Sequence, residues 1–251
     1  MTAFTWTDED QRRYLAIRDD LAQVSTASAC QLLISEGWRN TYMVGLRPLR
    51  PLGLGSRIVG RARTCRYLIR RSSDRRLDPD ERRRSPEIAA IESLEPGDVF
   101  CVDALGVPTS GIIGDILSAR IKARGAGAAI IHGAVRDSPY INELGLSVFC
   151  ATVHPSHSGR DLEPVDYDQP VNMAGAQVRP GDVILADDEG ALAMPLDLAE
   201  MVARLGPPKE RLETWIREKV EAGGSVPDYY PPSSDKAAEY ERDTGERYEP
   251  H

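Results

Sequence analysis

Apolar positions first recur at helical spacing between Gln11 and Leu21, where Tyr14, Ile17 and Leu21 share a face behind the acidic start Thr7-Asp8-Glu9-Asp10. A second helix is predicted over Ala27–Glu36, after Ser25-Thr26. Ile58–Cys65 reads as a strand, and Ile88–Leu94 as a short helix. Glu95-Pro96-Gly97-Asp98 turns that helix into the strand Val99–Asp103. The densest pattern runs from Gly111 to Asp137. A Gly-rich turn ends at Gly114-Asp115, and a helical pattern follows with Ile116, Leu117, Ile121 and Ala123 apolar. Gly125 and Gly127 close that helix. Ala128–Ile131 is an apolar run of the kind that forms a buried strand, and the chain leaves it at Gly133-Ala134-Val135-Arg136-Asp137.

Beyond this stretch, Ala151–His157 is expected to be a loop. Val178–Leu185 and Ala191–Met194 read as strands joined by the turn Asp187-Asp188-Glu189-Gly190. The Pro-Gly-Asp turn at 96–98 recurs at 180–182 and opens a strand both times. Two amphipathic helices, Leu196–Leu205 and Lys209–Ala222, are predicted on either side of Gly206-Pro207-Pro208, which should break a helix. Residues 1–222 carry this pattern of helices and strands, enough chain for one large domain or two small ones. Residues 223–251, rich in Pro, Tyr and charge, form an extended tail, loose from Ser233 onward.

Residues 70–86 interrupt the pattern, with seven arginines set among acids and almost nothing apolar. An anion- or RNA-binding patch is one reading. A solvated insertion fits better, because the acids offset the charge and no aromatic is available to stack a base. Arg82, Arg83 and Arg84 are placed to steer an anionic substrate. The 251 residues, 41% hydrophobic and 28% charged, suffice for a sizeable core. A net charge of −8 argues against nucleic acid as a general partner. Cys30, Cys65, Cys101 and Cys150 are scattered without a CxxC pair, as expected of reduced, buried thiols. No apolar run approaches the roughly 20 residues of a membrane span, and the first residues lack the apolar core of a signal peptide. A cytoplasmic protein is expected.

Candidate chemistry lies at the two ends of the central helix–strand unit. Asp115 is either a helix cap or one of two carboxylates, with Asp137, at a common sheet edge; Arg136-Asp137 is either a loop ion pair or part of that site. If the carboxylates converge, they and water suit Mg²⁺ or Mn²⁺ better than zinc. Arg136 then offers a planar fork to the carboxylate or keto oxygen of a 2-oxo acid. The Ile116 and Leu117 amides after Gly114 supply a helix N-terminus for the substrate carboxylate. His154 and His157 invite a metal reading, but polar loop residues near a subunit contact are the better one. His132 reads as a hydrogen-bonded residue at the core edge.

Gly114-Asp115-Ile116-Leu117 and Gly133-Ala134-Val135-Arg136-Asp137, with 22 residues between the two acids, resemble the family of 4-hydroxy-4-methyl-2-oxoglutarate aldolase and the regulator of ribonuclease activity A (RraA-like). The likeness extends to Tyr42–Leu49, Ile58–Cys65, Ile141–Phe149 (similar to a family strand), Val178–Ile184 and Asp187–Gly190, covering about Ser25 to Val220. It implies an α/β fold of layered β/β/α, swivelling type with flanking terminal helices, as a single domain over residues 1–222 that includes the Arg-rich insertion. It also implies a homotrimer or homohexamer with sites at subunit boundaries. By the same resemblance Asp137 holds the metal, Asp115 acts through the metal's waters, and Arg136 stabilises a pyruvate enolate. An acid from a neighbouring subunit's C-terminal helix is expected as well, for which Glu210 and Glu213 are the candidates. The implied activity is aldol cleavage of a 4-hydroxy-2-oxo acid or decarboxylation of an oxaloacetate-like acid. The competing reading is a non-catalytic, protein-binding regulator of ribonuclease activity. Retention of Asp115, Arg136 and Asp137 together favours the enzyme.

Overall fold

The computed structural model describes residues 6–248 apart from Ser72, Asp74 and Arg76; those three, which belong to the Arg-rich insertion, and the tail's last three residues lie outside the described residues. In chain order the elements are α1 (Asp8–Leu21), α2 (Thr26–Ser35), β1 (Arg47–Pro48), β2 (Ile58–Ile69), α3 (Pro79–Arg83), α4 (Pro86–Glu92), β3 (Asp98–Asp103), α5 (Asp115–Ala123) and β4 (Ala128–Val135). There follow α6 (Ser138–Leu144), β5 (Ser147–Val153), β6 (Leu162–Tyr167), β7 (Val171–Met173), β8 (Ala176–Val178), β9 (Val183–Asp187), β10 (Gly190–Met194), α7 (Leu196–Glu221), α8 (Val226–Tyr229) and α9 (Ser234–Thr244).

Eight strands form one sheet in the order β1-β5-β4-β3-β2-β9-β10, with β6 also paired to β2. The middle, β2 to β5, is parallel, and β9 and β10 close on β2 as an antiparallel hairpin. Met43 donates to Ala191 O and Ala193 donates to Thr41 O, so the segment before β1 bridges back to β10 and nearly closes the sheet into a barrel. Strand residues alternate between two apolar layers, as the period of two demands. Phe100, Val102, Ala129 and Ile131 face the helices α4, α5 and α6. Val99, Cys101, Ala128 and Ile130 face the β7–β8 ribbon. This is a mixed α/β architecture with a barrel-like sheet and flanking helices. Among the described residues no helix is long and apolar enough to cross a membrane.

The repeated Pro-Gly-Asp turn is one physical device used twice. Gly97 and Gly181 sit at φ +86 and +87, and each following Asp carboxylate accepts the amide three residues back, Glu95 N and Arg179 N at 2.8 Å. The turn therefore ends with its strand already aimed, at β3 and at β9.

Several boundaries depart from the sequence reading. Ile141–Leu144 completes α6, and Gly145 at φ +74 ends it before β5 begins at Ser147. The expected loop from Ala151 is still strand as far as Val153. Val178–Leu185 is not one strand, because the turn at 179–182 separates β8 from β9. Gly206-Pro207-Pro208 lies inside the 26-residue α7 and does not break it. A proline there removes a helical hydrogen bond, but a Cβ on Gly206 would fall 2.4 Å from Val24, so packing against the α1–α2 corner holds the turn in place. Residues beyond 222 also fold. α8 and α9 pack Tyr229 and Tyr240 onto Trp215 and Ile216 of α7 in a separate apolar cluster. Lys219 is ion-paired to Glu239 and Asp243 over that cluster.

Candidate active site

The central helix–strand unit is drawn together by the main chain. Ile112 donates to Ala134 O at 2.9 Å, and Arg136 donates to Ile113 O at 3.0 Å. The segment 111–114 therefore runs beside the end of β4, and the start of α5 is fixed against the residues that follow the strand. Glycine is required for this approach. A Cβ on Gly114 would fall 2.4 Å from Asp137 Oδ2 and 2.9 Å from Arg136 Nε. Since a trans peptide spans about 3.8 Å, the Asp115 Cα lies within about 8 Å of the Asp137 carboxylate. The two acids thus share one neighbourhood. Asp137 occupies the left-handed region (φ +55, ψ +33), which a short polar side chain tolerates better than others. Arg136 Nε lies 3.3 Å from Asp137 Oδ2, and both side chains are partly open to solvent.

A cleft of about 170 Å³ opens here, lined by Gly114, Asp115, Ile116, Leu117 and Arg136 together with Arg82, Glu87, Ile88, His157 and Ser158. A second cavity of about 280 Å³ shares Arg82, Glu87, His157 and Ser158 with it and continues toward Arg70 and Glu163. The Arg-rich insertion is therefore a wall of the site as well as a solvated segment, because Arg82 of α3 borders both spaces. In the first turn of α5, the Ile116 amide donates to Asp115 Oδ1 at 2.8 Å. Ile116 N–H becomes available to a substrate carboxylate only when the Asp115 side chain turns away.

Glu87, which sequence reasoning did not single out, lies in this wall and is 4% exposed. Ser85 caps α4 and Pro86 begins it, which places Glu87 in the first turn, where an acid is normally a solvated complement to the helix dipole. Here it points inward to the fully buried Tyr67, whose hydroxyl donates to Glu87 Oε1. Burial pushes the Glu87 carboxyl from 4.5 up to about 6, against the opposing pull of the Tyr67 hydroxyl and the Arg82 guanidinium. A folded-state pKa raised in this way adds stability below the unfolded value. That stability is lost as pH rises through 4.5 to about 6, an effect of about 2 kcal/mol. Glu87→Gln is expected to remove this slope, so that urea unfolding at pH 4.5 and pH 7 differs by about 2 kcal/mol less in the variant than in wild type.

Among the described residues the histidines form no metal site. His132 Nδ1 lies 3.2 Å from Asp103 Oδ1 at the core edge, and His154 Nδ1 accepts from Ser156 N at 3.2 Å. Among the described residues no three His, Cys, Asp or Glu side chains are grouped to hold an ion. Glu210 and Glu213 of α7 do not line the cleft of their own chain. Glu210 accepts from Ser25 N and Oγ at 2.8 and 2.6 Å, supporting the cap of α2, while Glu213 pairs with Lys209. What remains for a cation is an all-oxygen pair, Asp137 and Asp115, beside the space that Gly114 leaves clear. That donor set fits a hard divalent ion that keeps several of its waters.

With this geometry in view, similarity to known proteins becomes informative. The profile of the RraA-like family, described as Aldolase/RraA, matches residues 22–193. The chain belongs to the RraA-like family. Among solved structures, this RraA-like chain superposes on Streptomyces coelicolor RraAS2, described as an unusual member of the RNase ES inhibitor RraA family. The TM-score is 0.71 at 30% identity, covering 86% of this chain and 99% of that one. It is similar to 4-hydroxy-4-methyl-2-oxoglutarate aldolase of Thermus thermophilus, 26% identical over 146 residues (58% of this chain and 80% of that protein). It also matches the protein DlpA of Legionella pneumophila, 29% identical over 178 residues, which are 68% of this chain but only 28% of DlpA.

Proposed function

We propose that this RraA-like protein is a carbon–carbon lyase dependent on Mg²⁺ or Mn²⁺. It cleaves 4-hydroxy-2-oxo acids by a retro-aldol reaction, decarboxylates oxaloacetate-like acids, or does both. The observation that supports the reading is the close approach of Gly114 to Asp137 and Arg136, beside a cleft that Asp115 and Arg136 line. Asp137 and Asp115 would hold the cation. When bound, it supplies Lewis-acid polarisation of a 2-oxo acid's keto and carboxylate oxygens. Arg136 presents a bidentate donor to the same substrate and stabilises negative charge developing on its keto oxygen. The first-turn amides of α5 complete the carboxylate site. The names of the aldolase relatives favour this chemistry. Assembly as a homotrimer or homohexamer belongs to the same proposal, with Glu210 or Glu213 reaching a neighbour's cleft, as does a cytoplasmic location.

The test is pyruvate release from oxaloacetate and from 4-hydroxy-4-methyl-2-oxoglutarate. Turnover is expected with Mg²⁺ or Mn²⁺, to be lost in EDTA, and to return on adding excess metal. Turnover that survives EDTA counts against the cation's role, and no turnover on any 2-oxo acid rejects the lyase. A second reading, binding and inhibition of an RNase E-type nuclease, is favoured by the resemblance to RraAS2. Inhibition of such a nuclease by a metal-independent, inactive protein would establish it instead.

A further inference from the structure

Resting on the lyase reading, we infer that Glu87 is the proton-transferring residue of the reaction, a role distinct from the cation-holding and substrate-holding roles of Asp115, Asp137 and Arg136. Three features of its placement carry this. It lines the same 170 Å³ cleft as Arg136, Gly114 and Asp115. That volume is about that of a handful of water molecules, so a substrate filling it meets the residues that line it. One carboxylate oxygen is fixed, since Oε1 accepts from the Tyr67 hydroxyl and Tyr67 is itself fully buried. The other, Oε2, has no protein partner among the described residues. It is also absent from the buried polar atoms that lack one, so it is reached from the two cavities that Glu87 lines. A buried carboxylate held at one oxygen and open at the other is aimed at whatever enters.

The groups that face Glu87 suit it to this role. Tyr67 and Cys65 approach from β2, Arg82 from α3, and His157 from the loop after β5; Asp115 and Arg136 line the same cleft, and Glu163 of β6 lines the adjoining cavity. No cation lies within ion-pair distance of it among the described residues, so the carboxyl is not locked in its charged form. Burial holds its pKa near the working range of a general acid–base. The second cavity, of about 280 Å³, borders the same side chain and gives it a path to exchange protons with water while substrate fills the first.

The proton count closes within one turnover. Ionised Glu87 takes the proton of the C4 hydroxyl. The C4–O bond becomes a carbonyl as the C3–C4 bond breaks, and the bonding pair passes to C3, in conjugation with the C2 carbonyl, as the enolate of pyruvate. Glu87 then returns the proton to C3, giving the methyl group of pyruvate. Nothing is oxidised or reduced. Decarboxylation of oxaloacetate breaks its bond without first removing a hydroxyl proton, so it depends on Glu87 only for the final protonation.

The test compares both reactions in wild type, Glu87→Gln and Tyr67→Phe, each with saturating Mg²⁺ and with folding checked by circular dichroism. Glu87→Gln is expected to lower kcat for 4-hydroxy-4-methyl-2-oxoglutarate cleavage by about 10²-fold or more, with decarboxylation lowered much less. The acidic limb of the wild-type cleavage profile is expected to inflect near the pH at which Glu87 ionises and to vanish in Glu87→Gln. Tyr67→Phe, which removes a donor to the charged carboxylate, is expected to move that limb to higher pH. Cleavage by Glu87→Gln within threefold of wild type, or an unchanged acidic limb in that variant, overturns the role of Glu87 while leaving the lyase standing. A wild-type protein inactive on both substrates overturns the lyase and this role together.

Discussion

Arg136→Ala is expected to lower pyruvate release from oxaloacetate by about 10²–10³-fold, the usual effect of removing one donor from a developing oxyanion. Asp137→Asn is expected to lower it at least as far, and to raise the Mg²⁺ concentration needed for half-maximal activity. Asparagine is the informative replacement, because position 137 sits at φ +55 and Asn, like Asp, accepts that conformation while alanine does not. Neither change should unfold the protein. The Arg136–Asp137 pair is partly open to solvent, and exposed pairs of this kind contribute about 0–1 kcal/mol. Steady-state kinetics with a metal titration, alongside thermal melts, separates the outcomes. If both variants retain turnover within a few-fold, the site has been placed wrongly. If both lose it only because the melting point falls, the pair is structural.

Arg63→Ala is expected to produce the largest loss of stability in the chain. Arg63 on β2 is 4% exposed, and its guanidinium forks onto Asp168 at 2.8 and 3.0 Å. It also donates to Ser93 O at 3.0 Å and lies 3.5 Å from Asp98, which is 1% exposed. Truncating it removes the bidentate partner of the buried Asp168 and one of the two guanidinium groups beside Asp98, which keeps Arg61 and the Glu95 amide, a change that costs about 3–5 kcal/mol. In a chain of this size that corresponds to a fall of about 10 °C in melting temperature. Asp98 is already pushed above the usual carboxylate range by burial. Without Arg63 it should rise further, so the deficit is expected to be larger at neutral pH than near pH 4.5. Arg63→Met combined with Asp168→Asn, which removes both charges of the pair, is expected to recover part of the loss. A melting point for Arg63→Ala within 2 °C of wild type would show that water reaches these carboxylates.

The approach of the Gly114-Asp115 turn to Arg136 and Asp137 was legible in the sequence because it is written in local signals. Gly114-Asp115 opens a helix, an apolar run makes a buried strand, and Arg136-Asp137 follows that run, so the topology of a helix followed by a parallel strand does the rest. The family resemblance supplied the α/β class with its flanking helices. What escaped depends on contacts between distant segments. The unbroken α7 rests on Val24 packing against Gly206, which no local rule for proline includes. The folded tail rests on three aromatic residues, Trp215, Tyr229 and Tyr240, meeting across a gap of 25 residues, within a composition that reads as disordered. Glu87 was hidden most completely. Its position one residue after Ser85-Pro86 is that of an ordinary solvated helix-start acid, and only the placement of Tyr67, 20 residues earlier, turns it inward.

The two amide-to-carbonyl bonds that tie residues 112 and 136 to their partners do not depend on which side chains the neighbouring turn carries. The anchor of the cleft is therefore separable from its lining. Libraries that vary Ile88, Ile116 and Leu117 should reshape which small molecules the cleft admits without dislodging the arginine and aspartate anchored at its edge.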